Sequence, residues 1–154
     1  MSWFLVALIG CSTPQVDIAD AATTEGLYQR TIELRGGTIR AEYLGAWGRD
    51  CTADGRIPSK GATPCKDLQF YVAPIVGEGW TPEAPVTAWA TCPSKIHDRA
   101  ACVAVLQSAP SDLGARVLST TEHDSGWTKA IADAAEAHGV RAAESAPVLL
   151  VEGG

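Results

Sequence analysis

The sequence SGWTKAIADAAEAHG, residues 125–139, combines a helix start, a helical period and a stop signal. It predicts an α-helix, which the fold must contain beside its strands. Ser125, or Asp124 before it, can cap the first turn, and Gly139 follows the last periodic residue. One stripe at helical spacing comprises Trp127, Ile131, Ala134 and His138. The charged residues of the opposite face are Lys129, Asp133 and Glu136. The stripe is narrow and rich in alanine, which predicts a helix that lies close against a sheet.

A buried strand is predicted directly after this helix. The run APVLLV, residues 146–151, ends in four consecutive large apolar residues, which is typical of a strand covered on both faces. Another strand candidate, ARVLSTT at 115–121, precedes the helix. This strand–helix–strand order permits a right-handed crossover with a parallel strand pair.

The first half of the chain alternates apolar and polar residues, as half-buried strands do. In TIELRGGTIR, residues 31–40, Gly36-Gly37 separates two such runs and predicts a two-residue hairpin. Three further strand candidates are LQFYVAPIV (68–76), PVTAWATC (85–92) and CVAVLQS (102–108). We therefore expect an α+β fold, a single small domain with a mixed, mostly antiparallel sheet and one C-terminal helix packed on it. The alternative is a β-sandwich with an appended helix.

The chain begins with a short apolar segment that ends at a cysteine. Trp3 to Ile9 are all apolar, Gly10 and Cys11 follow, and the sequence then turns polar. A membrane-spanning helix needs about 20 apolar residues, whereas a secretory signal needs only about 7–15. The run Leu8-Ile9-Gly10-Cys11 resembles the lipobox of bacterial lipoproteins.

This resemblance covers residues 1–12 alone, and it implies a modification. In bacterial lipoproteins the cysteine thiol, here that of Cys11, receives a diacylglyceryl group, and the preceding peptide is removed. Two acyl chains suffice for stable attachment to a membrane. Ser12 is not the aspartate associated with inner-membrane retention in that family, which favours the outer membrane, facing the periplasm or the cell surface.

The expected organisation follows from this resemblance and from the composition of the next segment. Residues 1–10 form the signal peptide, and 11–26 the lipidated cysteine with a flexible tether of small polar residues. Residues 27–154 form the α+β extracytoplasmic domain. Two alternatives stay open: a short edge strand around Val16–Ile18, and a cytosolic protein whose N-terminus is an ordinary strand.

The chain has five cysteines, an odd count that a lipidated Cys11 would account for. The remaining four, Cys51, Cys65, Cys92 and Cys102, allow two disulfides in three connectivities. We favour Cys51–Cys65 and Cys92–Cys102, because both enclosed segments have the composition of loops. The spacings are wider than those of zinc sites and contain no C-x-x-C redox motif.

Composition and missing motifs narrow the function classes. The chain has 154 residues, 46% of them hydrophobic, and a net charge of −6 with no basic cluster, so we expect no nucleic-acid partner. No phosphate-binding glycine motif, nucleophile elbow or H-E-x-x-H motif is present. We predict no cofactor and no metal.

Two His-Asp dipeptides are the candidate catalytic residues. His97-Asp98 and His123-Asp124 both lie at the predicted ends of elements, where functional sites collect. Imidazole with carboxylate could hold a divalent metal or act as a general base with its orienting partner. The structural alternative is that Asp124 interacts with the dipole of the following helix and that the histidines are ordinary loop residues.

Tryptophans beside glycines are the candidate contact residues. Trp47 and Trp80 sit at predicted strand ends, and tryptophan is enriched at interaction hot spots. The alternative for both is packing at the edge of the core. The absence of catalytic motifs favours a lipid-anchored envelope protein that binds an envelope protein or polymer, over a small extracytoplasmic hydrolase or metal-dependent enzyme that uses the His-Asp pairs.

Overall fold

The computed structural model of the protein describes residues 13–48, 69–93, 96, 98–110, 112–122 and 125–151. The strands in these residues are β1 (Gln15–Asp17), β2 (Thr31–Arg35), β3 (Thr38–Ile39), β4 (Gly45–Gly48), β5 (Gln69–Val76), β6 (Ala88–Thr91), β7 (Leu113–Thr120) and β8 (Pro147–Leu150). The α-helices are α1 (Arg99–Gln107) and α2 (Gly126–His138), and two 3-10 turns span Ile18–Asp20 and Ala41–Tyr43.

The strands form one mixed, mostly antiparallel sheet that is curled into a half-barrel. The strand order is β1-β2-β7-β8-β6-β5-β3, and β4 also pairs with β5. Only β1 with β2 and β6 with β8 run parallel among the strand pairs of the described residues. The predicted α+β class and the C-terminal helix on the sheet are confirmed.

Each face of the sheet is covered by one helix. Along β8, Leu149 belongs to a core shared with α1, and Val148 belongs to a second core shared with α2. Both side chains are fully buried. This burial on both faces explains why the sequence of β8 is a continuous apolar run, and it confirms the predicted strand covered on both faces.

Local signals determine α2 at both ends. The Ser125 side chain accepts a hydrogen bond from the Thr128 amide at 3.3 Å, and the Thr128 hydroxyl accepts one from the Ser125 amide at 2.8 Å. Gly139 ends the helix with a φ of 70°, the left-handed region that glycine enters without strain. The predicted cap, span and stop of this helix are confirmed.

The predicted strand over 102–108 is wrong, because this segment belongs to α1. The Asp98 side chain accepts a hydrogen bond from the Ala101 amide at 3.0 Å and caps the helix. Cys102 and Leu106, four residues apart, then fall on the same buried side. The aspartate cap and this four-residue spacing favour a helix, although the apolar composition of the segment also fits a strand.

The predicted pairings around the glycines and around α2 are also wrong. β2 and β3 do not form a hairpin: β2 pairs with β1 and β7, whereas β3 pairs with β5. The Gly36-Gly37 segment connects different parts of the curled sheet. Likewise β7 and β8, which flank α2, are antiparallel rather than parallel.

Part of the predicted flexible tether over 11–26 belongs to the sheet. β1 pairs in parallel with β2, and Val16 and Ile18 are buried in the core shared with α1. The Thr87 hydroxyl donates a 2.6 Å hydrogen bond to the Ile18 carbonyl. The alternative of a short edge strand in this region is therefore what the structure contains, because two apolar side chains gain burial there.

Candidate functional site

The candidate catalytic dipeptides are described only at Asp98, since His97, His123 and Asp124 lie outside the described residues. The Asp98 carboxylate caps α1, which is a structural role. Of the strands that precede the two dipeptides, β6 pairs Thr91 with Leu150 and β7 pairs Thr120 with Pro147, at the two ends of the four-residue β8. Convergence of the two pairs stays a prediction.

The cysteines of one predicted pair are joined. Cys92 and Cys102 form a disulfide with Cα atoms 5.6 Å apart, as predicted. Both residues are buried, and the bond ties the end of β6 to α1. Cys11, Cys51 and Cys65 lie outside the described residues.

Trp47 and Trp80 are half-buried, and each has an aromatic partner. Trp80 meets Tyr43 edge-on with ring centroids 5.5 Å apart, and its indole N–H donates to the Ala84 carbonyl at 3.1 Å. The Trp47 ring lies 5.6 Å from that of Phe70. These contacts place both tryptophans at the edge of the core shared with α2, and a binding role for them stays a prediction.

A cleft of about 450 Å³ lies beside the exposed ring of Tyr28, and we call it the Tyr28 cleft. Its lining comes from the segment after the first 3-10 turn, from the end of β7, and from the loop and strand start after α2. The lining residues are Ala22, Thr23, Thr24, Glu25, Gly26, Leu27, Tyr28, Thr120, Glu122, Ser145 and Pro147. A concave site with a few converging polar groups is the usual form of a ligand site.

The first wall is shaped by hydrogen bonds to a single carbonyl. The hydroxyls of Thr23 and Thr24 donate to the Asp20 carbonyl at 3.2 Å and 2.7 Å. Leu27 is buried in the core and anchors the far end of the wall. The next turn is held by the Gln29 amide, which donates to the Val117 carbonyl of β7 at 2.9 Å.

The second wall is formed by the loop before β8. The Thr121 hydroxyl donates to the Ala143 carbonyl at 3.1 Å and accepts from the Ala146 amide at 2.9 Å. The Ser145 hydroxyl donates a hydrogen bond to the carboxylate of Glu122. These bonds hold Ser145 and Glu122 together in the lining of the cleft.

Two unusual backbone conformations occur next to this cleft. Gln29 and Ser145, with φ of 62° and 63°, are the non-glycine residues with positive φ in the described part of the chain. Such a conformation costs roughly 1–2 kcal/mol for an L-residue, and strained residues concentrate at functional sites. Tyr28, 51% exposed, is the one large hydrophobic side chain classed as exposed within those same residues.

No pattern in the sequence predicts this cleft. Its walls are far apart in the chain, and no local motif relates Tyr28 to Ser145. The one available signal was a tyrosine that falls outside any alternating or helical pattern, which is weak evidence for a site.

Comparison with known proteins adds no relationship: no protein-family model, curated protein or solved structure matches the chain. No helix within the described ranges is long and apolar enough to cross a membrane. Among the same residues, no three His, Cys, Asp or Glu side chains are grouped as metal ligands.

Proposed function

We propose that this chain is a lipid-anchored bacterial envelope protein that acts as a binding module. Cys11 carries the lipid, the folded domain lies outside the cytoplasm, and the Tyr28 cleft contacts an envelope protein or polymer. The outer membrane is the proposed location.

The Cys92–Cys102 disulfide is the observation that carries the extracytoplasmic part of this proposal. Disulfides persist in oxidising compartments and are rare in the cytosol of mesophiles. The bond joins buried positions of β6 and α1, so it belongs to the packed fold rather than to an exposed redox site. It agrees with the lipobox resemblance at Cys11, which independently implies export.

The Tyr28 cleft supports binding rather than catalysis. Its lining residues include exposed Tyr28 together with hydroxyl and carboxylate side chains, and two backbone positions with positive φ lie at or next to it. Asp98, the described member of the candidate catalytic pairs, is engaged as a helix cap.

Metabolic labelling tests the anchor directly. The natural gene, expressed in a bacterium with two membranes, is supplied with an alkyne fatty acid, and the purified protein is examined for the label. We expect a labelled wild-type chain and an unlabelled C11S variant. The matched control C51S replaces another cysteine and should keep the label. An unlabelled wild-type chain, or a labelled C11S variant, contradicts the proposed anchor.

Sorting is tested by separating the two membranes on a density gradient. The wild-type chain should be found in the outer-membrane fraction. The S12D variant should stay lipidated and move to the inner-membrane fraction, as the lipoprotein resemblance implies. A wild-type chain in the inner-membrane fraction contradicts the proposed location while leaving the anchor intact.

A further inference from the structure

We propose that the Tyr28 cleft binds a lysine side chain presented by a polypeptide partner, with the ammonium group held by carboxylates and by the tyrosine ring. This inference deepens the proposed function, on which it rests, by assigning the chemistry of the partner.

The charge of the cleft favours a positively charged ligand. Glu25 and Glu122 line it, and no lysine, arginine or histidine is found among its described lining residues. The whole chain carries a net charge of −6, which adds a long-range attraction for positive partners. A phosphate or carboxylate ligand would meet like charge here and find no compensating cationic side chain.

The hydrogen-bonding groups of the cleft favour a ligand that donates hydrogen bonds. The hydroxyl protons of Thr23 and Thr24 are directed to the Asp20 carbonyl, and that of Ser145 to Glu122. These three oxygens therefore offer lone pairs to a ligand, and the carboxylates can only accept. A lysine ammonium has three protons to donate and accepts none, so it matches this set better than a sugar hydroxyl, which needs both kinds of partner.

An aromatic face favours the same ligand. Tyr28 lines the cleft and is 51% exposed, and a cation within about 6 Å of a tyrosine ring is attracted by its quadrupole. The protein already contains this arrangement elsewhere, with the Lys129 ammonium 4.4 Å from the centre of the Trp47 ring and the Arg40 guanidinium 5.5 Å from that of Tyr43.

The size and apolar part of the cleft favour a side chain on a polypeptide over a small free amine. The cleft volume of about 450 Å³ exceeds what an ammonium group alone would fill. Half-buried Ala22 supplies apolar surface on its walls, and the buried residues Leu27 and Pro147 also line it. A lysine buries its methylene stem against such surface while its charged head reaches the polar groups.

Calorimetric titration of the full chain, purified in detergent, tests the inference. The probes are a tetralysine peptide, the same peptide with its side chains acetylated, and butylammonium chloride. We expect the tetralysine peptide to bind, the acetylated peptide to show no binding, and butylammonium to bind at least tenfold more weakly than tetralysine. If butylammonium binds as tightly as tetralysine, the assignment of a polypeptide partner is overturned. If the acetylated peptide binds, the assignment of a cationic ligand is overturned.

Variants locate the binding to the cleft. E25Q and E122Q should each weaken tetralysine binding about two- to fivefold, as expected for the loss of one exposed charge pair. Glutamine at 122 still accepts a hydrogen bond from Ser145, which preserves the wall. E136Q changes the same charge on the exposed side of α2 and should bind like the wild type. Equal weakening by E136Q would show that only overall charge matters and would overturn the site.

The tyrosine ring has its own pair of variants. Y28F keeps the aromatic face and should bind within about twofold of the wild type, whereas Y28A should weaken binding about threefold or more. Binding by Y28A that is indistinguishable from the wild type contradicts the role of the ring.

The lipid label and the tetralysine titration separate this inference from the proposed anchor. A wild-type chain that carries the label but does not bind tetralysine refutes this inference alone. A wild-type chain that binds tetralysine but lacks the label refutes the anchor alone.

Discussion

Gly45 of β4 lies directly against the α2 backbone at Ala130: a Cβ atom on this glycine would be 2.1 Å from the Ala130 carbonyl oxygen. The same atom would lie 2.6 Å from the Ala134 amide nitrogen. Both obstacles are backbone atoms, so no side-chain rotation can relieve them. The absence of a side chain at Gly45 is what lets α2 pack closely on this edge of the sheet.

Replacing Gly45 with alanine should therefore destabilise the fold. We expect G45A to lower the free energy of unfolding by about 3 kcal/mol, at the upper end of overpacking effects, because helix and strand must separate. Urea unfolding followed by tryptophan fluorescence measures the change. The control is G114A at an exposed position of β7, where a Cβ atom would meet nothing within 4 Å. Equal stability of G45A and the wild type would contradict the described packing.

Asp133 connects the same two elements through a hydrogen bond. Its carboxylate accepts from the Ala46 amide at 2.9 Å, although the sequence predicted that Asp133 faces away from the sheet. D133A should cost about 1–2 kcal/mol of unfolding free energy, because a hydrogen bond to a charged group is lost. E136A, on the same helix but without such a bond among the described contacts, should change stability far less. Similar losses in the two variants would argue against the contact.

The Cys92–Cys102 disulfide should contribute measurably to stability. The two residues are separated by 10 positions, and closing a loop of this size stabilises a fold by about 2–3 kcal/mol. The double variant C92A/C102A should lose this amount in urea unfolding under non-reducing conditions. An unchanged unfolding midpoint would show that the two thiols are not joined in the native protein.

The Arg40–Glu42 pair should make stability depend on acid pH. Partial burial raises the pKa of Glu42, but its backbone hydrogen bond and the Arg40 guanidinium together outweigh this and leave the pKa below the usual 4.5. A lowered folded-state pKa means that the stabilisation is present above pH 4.5 and is lost as the pH falls through the folded-state value. The carboxylate is largely solvated, so the effect should be small.

Thermal unfolding between pH 2 and pH 6 would measure this dependence. E42Q should flatten the acid side of the Tm curve relative to the wild type. R40Q should flatten it only in part, because the backbone hydrogen bond of Glu42 is retained. An E42Q curve that is parallel to the wild-type curve at every pH would contradict the assignment.

The elements that sequence reasoning predicted correctly are those with local signals. Ser125 and Gly139 mark the ends of α2, and the apolar run around Val148 marks a strand covered on both faces. These features depend on neighbouring residues and on burial alone. The same applies to the pair Cys92–Cys102, which was predicted from the loop-like composition of the segment between the two cysteines.

The features that were predicted wrongly or missed depend on contacts between residues far apart in the sequence. Gly36-Gly37 has hairpin chemistry, but the curl of the whole sheet brings β3 to β5 instead of to β2. The sequence of α1 is compatible with a strand as well as a helix, because its buried positions, Cys102 and Leu106, lie in a short apolar run that fits either period. The Tyr28 cleft requires Gln29 to pair with β7, and no local pattern reveals that pairing.

The intact mass of the protein isolated from the membrane fraction, measured with and without reduction and alkylation, tests whether the chain is lipidated and exported. We expect loss of residues 1–10, added diacylglyceryl mass on Cys11, and alkylation of the other cysteines only after reduction. A mass that retains Met1, with cysteines that alkylate freely before reduction, would contradict both the anchor and the extracytoplasmic location.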